Sequence, residues 1–156
     1  MLEYIPGKYA HRPVDADEYM FIHCVFVGFK KEFKGKGYAS LLIDECITEA
    51  KNAKMNGVAV VTREGPFMAK KDIFVKKGFV VVGQAEPDFE LLVLQFNPNA
   101  TDPKFTNMKI PIEEYGKGLF IIRSVQCPYT EKNVNAILES AKAKFDLEAN
   151  LVDLQD

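Results

Sequence analysis

Met20-Phe21-Ile22-His23-Cys24-Val25-Phe26-Val27, closed by Gly28, and then Lys34-Gly35-Lys36-Gly37-Tyr38-Ala39-Ser40 decide how this chain is read. The first stretch is β-branched and aromatic without a helical period and ends at a glycine, which predicts a largely buried strand. Lys30 to Gly37 reads as loop. From Tyr38 the period changes: Ala39, Leu42, Ile43, Cys46, Ile47, Ala50 and Ala53 share one helical face, with Asp44, Glu45, Glu49, Lys51 and Asn52 elsewhere. This is an amphipathic helix, expected to stop in a left-handed turn near Asn56-Gly57.

Outward from that unit the alternation continues. Val58 to Thr62 reads as a second buried strand, and Gly65-Pro66 breaks the chain before a helical stretch from about Met68 to Lys77, closed by Gly78. Phe79 to Val82 and Leu91 to Phe96 read as a hairpin around Glu86-Pro87-Asp88, and Leu2 to Ile5 as a strand ahead of it all. The order β, α, β, α, β, β predicts a mixed α/β sheet with a right-handed crossover. Asn97 to Pro103, rich in turn formers, is the expected linker, dividing residues 1–97 from 98–156. Beyond it, Leu119 to Ile122, a helix from Thr130 or Glu131 to about Lys144, and Leu151-Val152 make one βαβ unit.

Composition sets the broad class. A chain of 156 residues, 47% hydrophobic and 27% charged, can bury a genuine core. A net charge of -2 argues against general binding to nucleic acid or an anionic membrane, although Lys30, Lys31, Lys34 and Lys36 form a local basic cluster. The spacing of Cys24, Cys46 and Cys127 suggests neither a disulfide framework nor a metal site, and a reducing, cytoplasmic setting fits best. Nothing in the sequence reads as a signal peptide or a membrane span.

Glycines between a strand and a helix signal anion binding. Gly35 and Gly37 let the backbone approach a ligand, and the free N–H groups of the helix start face it with the positive end of the dipole. A diphosphate is the natural guest, with Lys34 and Lys36 as mobile counter-charge. A Rossmann fingerprint does not fit, because Ser40 stands at its sixth position and no acidic residue closes the next strand. A P-loop does not fit either. A basic loop whose glycines serve only the turn is the competing reading.

The order of turn, helix, strand and helix, ending in Phe74-Val75-Lys76-Lys77-Gly78-Phe79, resembles the GNAT acetyltransferase family over most of residues 20 to 83. Glu32-Phe33-Lys34-Gly35-Lys36-Gly37 occupies the family's signature, with Glu32 in place of the usual glutamine or arginine. The resemblance implies a GNAT-like mixed sheet with flanking helices, its N-terminal part shortened, and acetyl-coenzyme A as cosubstrate without a metal. It implies that the amides from Gly35 to Ala39, with Lys34 and Ser40 beside them, hold the pyrophosphate. It also implies that the strand from Val25 to Val27 pairs with the pantetheine arm, and that the acetyl group passes directly to an amine; with no nucleic-acid element evident, an amine of a small molecule or peptide is the expected acceptor. Phe74 stands where many relatives carry an acid tyrosine, and a phenyl ring cannot donate a proton.

For a base, His23 lies in the strand that approaches the thioester, and Glu64 follows the next strand; a packed histidine and a solvated glutamate are the alternatives. Tyr38 can serve as acid only if its ring turns toward the sulfur. Only nineteen residues precede Met20. Either a partner chain, a second copy included, completes the acceptor side, or the sequence is a fragment, or the protein binds coenzyme A as a non-catalytic module.

The second unit, Leu119 to Ile122 followed by Cys127-Pro128-Tyr129-Thr130 and a helix, looks like the opening of a thioredoxin-like fold with Thr130 replacing the second cysteine. Cys127 there is either a reactive thiol or an inert buried one. Together with Tyr4 to Ala10 and Tyr19 to Cys24, this tail resembles the acetyltransferases that carry a YoaP-type C-terminal domain. The sequence thus supports an acetyl-coenzyme A dependent N-acetyltransferase, a non-catalytic coenzyme A module, or a thiol redox protein working through Cys127.

Overall fold

The strand that follows the amphipathic helix becomes the middle of the sheet. In the computed structural model, which describes residues 1–65, 68–107, 115–126 and 130–154, β4 (Gly57–Thr62) is buried along almost its whole length. It pairs in parallel with β3 (Tyr19–Val25) and antiparallel with β6 (Phe89–Gln95). A strand buried on both faces needs apolar residues without alternation, and Val58-Ala59-Val60-Val61 supplies them. β1 (Leu2–Pro6) and β5 (Val80–Ala85) add the edges, giving a five-stranded mixed sheet in the order β1-β3-β4-β6-β5.

α1 (Tyr38–Asn52) carries the chain from β3 back to β4, and its buried Ile43, Cys46 and Ala50 fall on one stripe. That stripe meets Met20, Ile22, Val58 and Val60, so α1 covers the face to which these strand residues point. Phe74 of the one-turn helix α2 (Asp72–Val75) joins the same cluster, edge-on to Phe79 with ring centroids 5.4 Å apart. Lys77, just past α2, is paired with Asp44 of α1. The expected helix from Met68 to Lys77 is thus a single turn. Phe74 is its buried anchor, with Ala69 and Ile73 packed beside it, and Lys70, Lys71, Lys76 and Lys77 leave little apolar stripe to extend the turn.

α1 also stops differently. The left-handed residue is Lys54 (φ 57), with Met55 N–H donating to Ala50 C=O, a Schellman-type closure. Gly57 instead opens β4 because there is no room for a side chain. An added Cβ would collide with the Leu94 carbonyl oxygen and lie 2.8 Å from the Tyr19 ring.

The other sheet face carries Tyr19, Phe21, Ala59, Leu91 and Val93, packed by Val14, Ala16 and partly by Ala10 and Phe105. β2 (Val14–Asp15) pairs antiparallel with β7 (Lys104–Phe105), closing a two-stranded ribbon over that face. This corrects the linker reading of Asn97 to Pro103. Tyr19 Oη donates to the Thr101 carbonyl at 3.0 Å and Gln95 Nε2 to that of Ala100 at 2.8 Å, so the stretch is held against the sheet. The first compact unit therefore runs from Met1 to Thr106.

The second unit, Asn107–Asp156, contains β8 (Leu119–Arg123), α3 (Thr130–Phe145) and β9 (Ala149–Asp153), the two strands parallel. Arg123 ties all three, with Nε donating to Asp153 at 2.6 Å and a second guanidinium nitrogen to Glu131 at 2.9 Å.

Candidate functional site

Two strands that run side by side in parallel and then part leave a wedge at their C-terminal ends. β3 and β4 are in register from Tyr19↔Gly57 to Ile22↔Val60, where their ladder ends, although β3 continues to Val25 and β4 to Thr62. On its other side β3 stays paired with β1, but the register moves from Tyr4↔Ile22 to Glu3↔Cys24 and passes over His23. His23 is therefore the extra residue of a β-bulge, a device that twists a strand and re-aims its side chains.

The glycine turn lies at the same end of the sheet. α1 leaves from beyond β3 and returns beside its start, where Asn56 N–H donates to Glu18 C=O, so the helix N-terminus stands near the strand C-termini. Gly35 (φ 71) and Gly37 (φ 79) both take the left-handed conformation, and no atom comes within 4 Å of a Cβ built on either. Glycine is needed here for backbone shape, and the space beside the turn is open. Gly37 is the N-cap of α1 without any side-chain cap, and the first helical hydrogen bond runs from Leu41 N–H to Gly37 C=O. The amides of Tyr38, Ala39 and Ser40 thus precede the first helical hydrogen bond and point out of the helix end.

Lys34, Lys36 and Tyr38 are exposed, and Ala39 and Ser40 are half-buried. Lys30 pairs with Glu32 at 3.6 Å. Beside the turn is a largely apolar groove of about 570 Å³ whose walls include Val27, Phe33, Tyr38, Leu41 and Leu42. Val25, at the end of β3, packs from the edge of the α1-side core.

The sequence-predicted bases separate in the structure. His23 is half-buried, its ring edge-on to Phe21 at 5.0 Å, and its Nε2 is buried with no hydrogen-bond partner among the described residues. Burial, with Arg12 and His11 adding positive charge, pushes its pKa down to about 4, so it is neutral at physiological pH. Glu64 is exposed and pairs with Lys70 at 3.2 Å on the surface. Cys127 lies outside the described residues.

Two residues that sequence reasoning missed are polar atoms buried at this end of the sheet. Glu3 Oε2 and Thr62 Oγ1 have no hydrogen-bond partner among the described residues. Glu3 alternates with Leu2 and Tyr4, which pack on the α1 side, so it shares the opposite face with His23, and burial raises its pKa. Thr62 alternates with Val58 and Val60 and so faces the α1 side. Strand alternation alone could have assigned Thr62 to that face. The bulge leaves no signal of that kind.

Among the described residues there is no cluster of three metal-ligating side chains and no helix long and apolar enough to cross a membrane. No family model and no solved structure matches the chain. It is 30% identical over 145 residues to the uncharacterized N-acetyltransferase YoaP of Bacillus subtilis (strain 168), an alignment that takes in 92% of this chain and 57% of that protein, so the chain spans little more than half the length of the curated relative it matches.

Proposed function

We propose that this chain is the acetyl-coenzyme A binding part of a GNAT-type N-acetyltransferase, moving an acetyl group directly to an amine of a small molecule or peptide. The observation that carries this is the uncapped start of α1 behind two left-handed glycines, with open space beside them at the end of a parallel strand pair. Such a helix start binds phosphate through backbone amides and the helix dipole. The similarity to a protein named as an N-acetyltransferase supports the same reading.

In this reading the amides of Tyr38, Ala39 and Ser40 receive the pyrophosphate, and Lys34 and Lys36 add charge-assisted contacts. Val25 and Val27 flank an extended arm entering the wedge beyond Ile22 and Val60. His23, neutral and with no hydrogen-bond partner for Nε2 among the described residues, takes the proton that the acceptor nitrogen releases. Bringing the amine and the acetyl carbon into one wedge contributes the proximity that a direct transfer requires.

Phe74 favours a second reading, a coenzyme A module without catalysis. It is fully buried where the resemblance calls for an acid tyrosine. Thermal denaturation with and without acetyl-coenzyme A tests both: a ligand at 100 times its Kd adds about 2.7 kcal/mol to the native state. An unchanged melting temperature at saturating ligand removes both readings. Release of free thiol in a screen of amines, lost in His23→Ala, selects the enzyme.

A further inference from the structure

From Asp44 onward the solvent side of α1 is polar, with Asp44, Glu45, Thr48 and Glu49 exposed. The first turns of the helix break that rule, because Leu41 is 64% exposed and Tyr38 47%. Tyr38, Leu41, Leu42 and Glu45 recur at helical spacing, so they form one stripe about 10 Å long that starts at the uncapped helix end. That stripe lines the groove of about 570 Å³, and Met1, Val27 and Phe33 complete the lining. A volume of this size is that of a small-molecule site. Phe33 is seated by a glycine: a Cβ on Gly28 (φ 103) would come within 3.0 Å of its ring, so the loop can close under that side chain only without one. Along the stripe the chemistry changes in order. Backbone amides with Lys34 and Lys36 stand at the helix end, aromatic and apolar walls follow, and the Glu45 carboxylate, a hydrogen-bond acceptor, comes last.

We infer that this groove holds the adenine of coenzyme A, with the base against Phe33, Tyr38 and Leu41 and its exocyclic amino group donating to the Glu45 carboxylate. The inference rests on the acetyltransferase reading above and adds the place of the nucleotide end. The adenosine diphosphate part of coenzyme A carries its groups in the order that the stripe offers them: diphosphate, then a flat base with apolar faces, then an N–H donor at its far edge. The two ends of the ligand leave the turn in different directions. The pantetheine arm runs to the wedge beyond Ile22 and Val60, and the adenosine runs back along α1. Covering Leu41 and the two aromatic rings removes apolar surface from water, and bases stack favourably on aromatic side chains. Glu45 adds selectivity, because a base with a carbonyl in place of the amino group would set one acceptor against another.

Calorimetry on the full chain compares coenzyme A with 4′-phosphopantetheine, which lacks the adenosine part. Phe33→Ala weakens coenzyme A about tenfold, and Leu41→Gln, a helix-compatible change at an exposed position, weakens it several-fold. Both variants hold 4′-phosphopantetheine within about twofold of the parent. Equal weakening of the two ligands assigns the groove to the pantetheine arm, or makes these side chains mere props of the turn, and overturns the inference. The second comparison uses the hypoxanthine analogue of coenzyme A, whose base carries a carbonyl where adenine has its amino group. The parent prefers coenzyme A by about tenfold, and Glu45→Ala levels the two. A preference that survives Glu45→Ala, or a parent with none, overturns the inference as well. Variants that bind coenzyme A as tightly as the parent sink this inference alone. If coenzyme A does not bind the parent, the acetyltransferase reading falls and takes the adenine site with it.

Discussion

Replacing His23 with glutamine changes how stability depends on pH. In an unfolded chain a histidine titrates near 6.5, whereas in the fold burial and the positive charges of Arg12 and His11 hold His23 down to about 4. At pH 7 both states carry a neutral ring and the group costs nothing. As pH falls through 6.5 the unfolded chain binds a proton that the folded chain refuses, so stability is lost until the folded ring protonates near pH 4. The full difference corresponds to a ceiling of roughly 3 kcal/mol. His23 is only half-buried, and solvent screening reduces this to about 1–2 kcal/mol. The assay is urea denaturation of the parent and His23→Gln at a series of pH values from 7 to 4, read as the difference between the two curves. Subtraction cancels the other titrating groups, including Glu3, whose raised pKa acts in the opposite direction. The parent should lose about 1–2 kcal/mol relative to the variant over that range. A flat difference curve, or a parent that gains stability as pH falls, means that His23 is charged in the fold, and the argument from its buried Nε2 is then wrong.

Gly57→Ala should cost about 3 kcal/mol or more in urea denaturation, because the new methyl meets the Leu94 backbone rather than a side chain that can turn away; a loss under about 1 kcal/mol would show that β4 and β6 can part there. Alanine at both Lys34 and Lys36 should weaken acetyl-coenzyme A binding in calorimetry by about tenfold at low salt and less at high salt, since both side chains are exposed. Equal weakening at all salt concentrations would argue that the lysines shape the turn instead of contacting phosphate.

The part of the fold that the sequence made legible is the part with a period. The switch from the strand at Met20 to the 3.6-residue repeat from Tyr38 located β3 and the start of α1 to within a residue or two, because each buries a face long enough to leave a pattern. β2 and β7 are two residues each, too short for any alternation, and they form only because the chain after Gln95 is pinned back by Tyr19 and Gln95 itself. The turn-rich composition of Asn97 to Pro103 was real. It described local backbone shape, whereas those two side-chain hydrogen bonds decide where the segment lies. Gly57 was misread for a related reason: a glycine after a helix fits a left-handed stop, but here the demand comes from Leu94 and Tyr19, which are remote in sequence.

The candidate site divides along the same line. Gly35 and Gly37 could be read directly, since a basic Gly-x-Gly before an amphipathic helix is local chemistry. The bulge at His23 and the parting of β3 from β4 could not, because they depend on where two ladders end. The β3–β4 ladder stops at Ile22↔Val60 while the β1–β3 ladder slips past His23. The first event frees the end of β4 from β3, and the second makes His23 an extra residue opposite β1 while it stays on the face of Phe21. An ordinary, unbroken β3 would have carried its hydrogen bonds on toward Thr62 and filled the gap with backbone. The irregularity of β3 beyond Ile22 is thus what parts it from β4 at this end of the sheet.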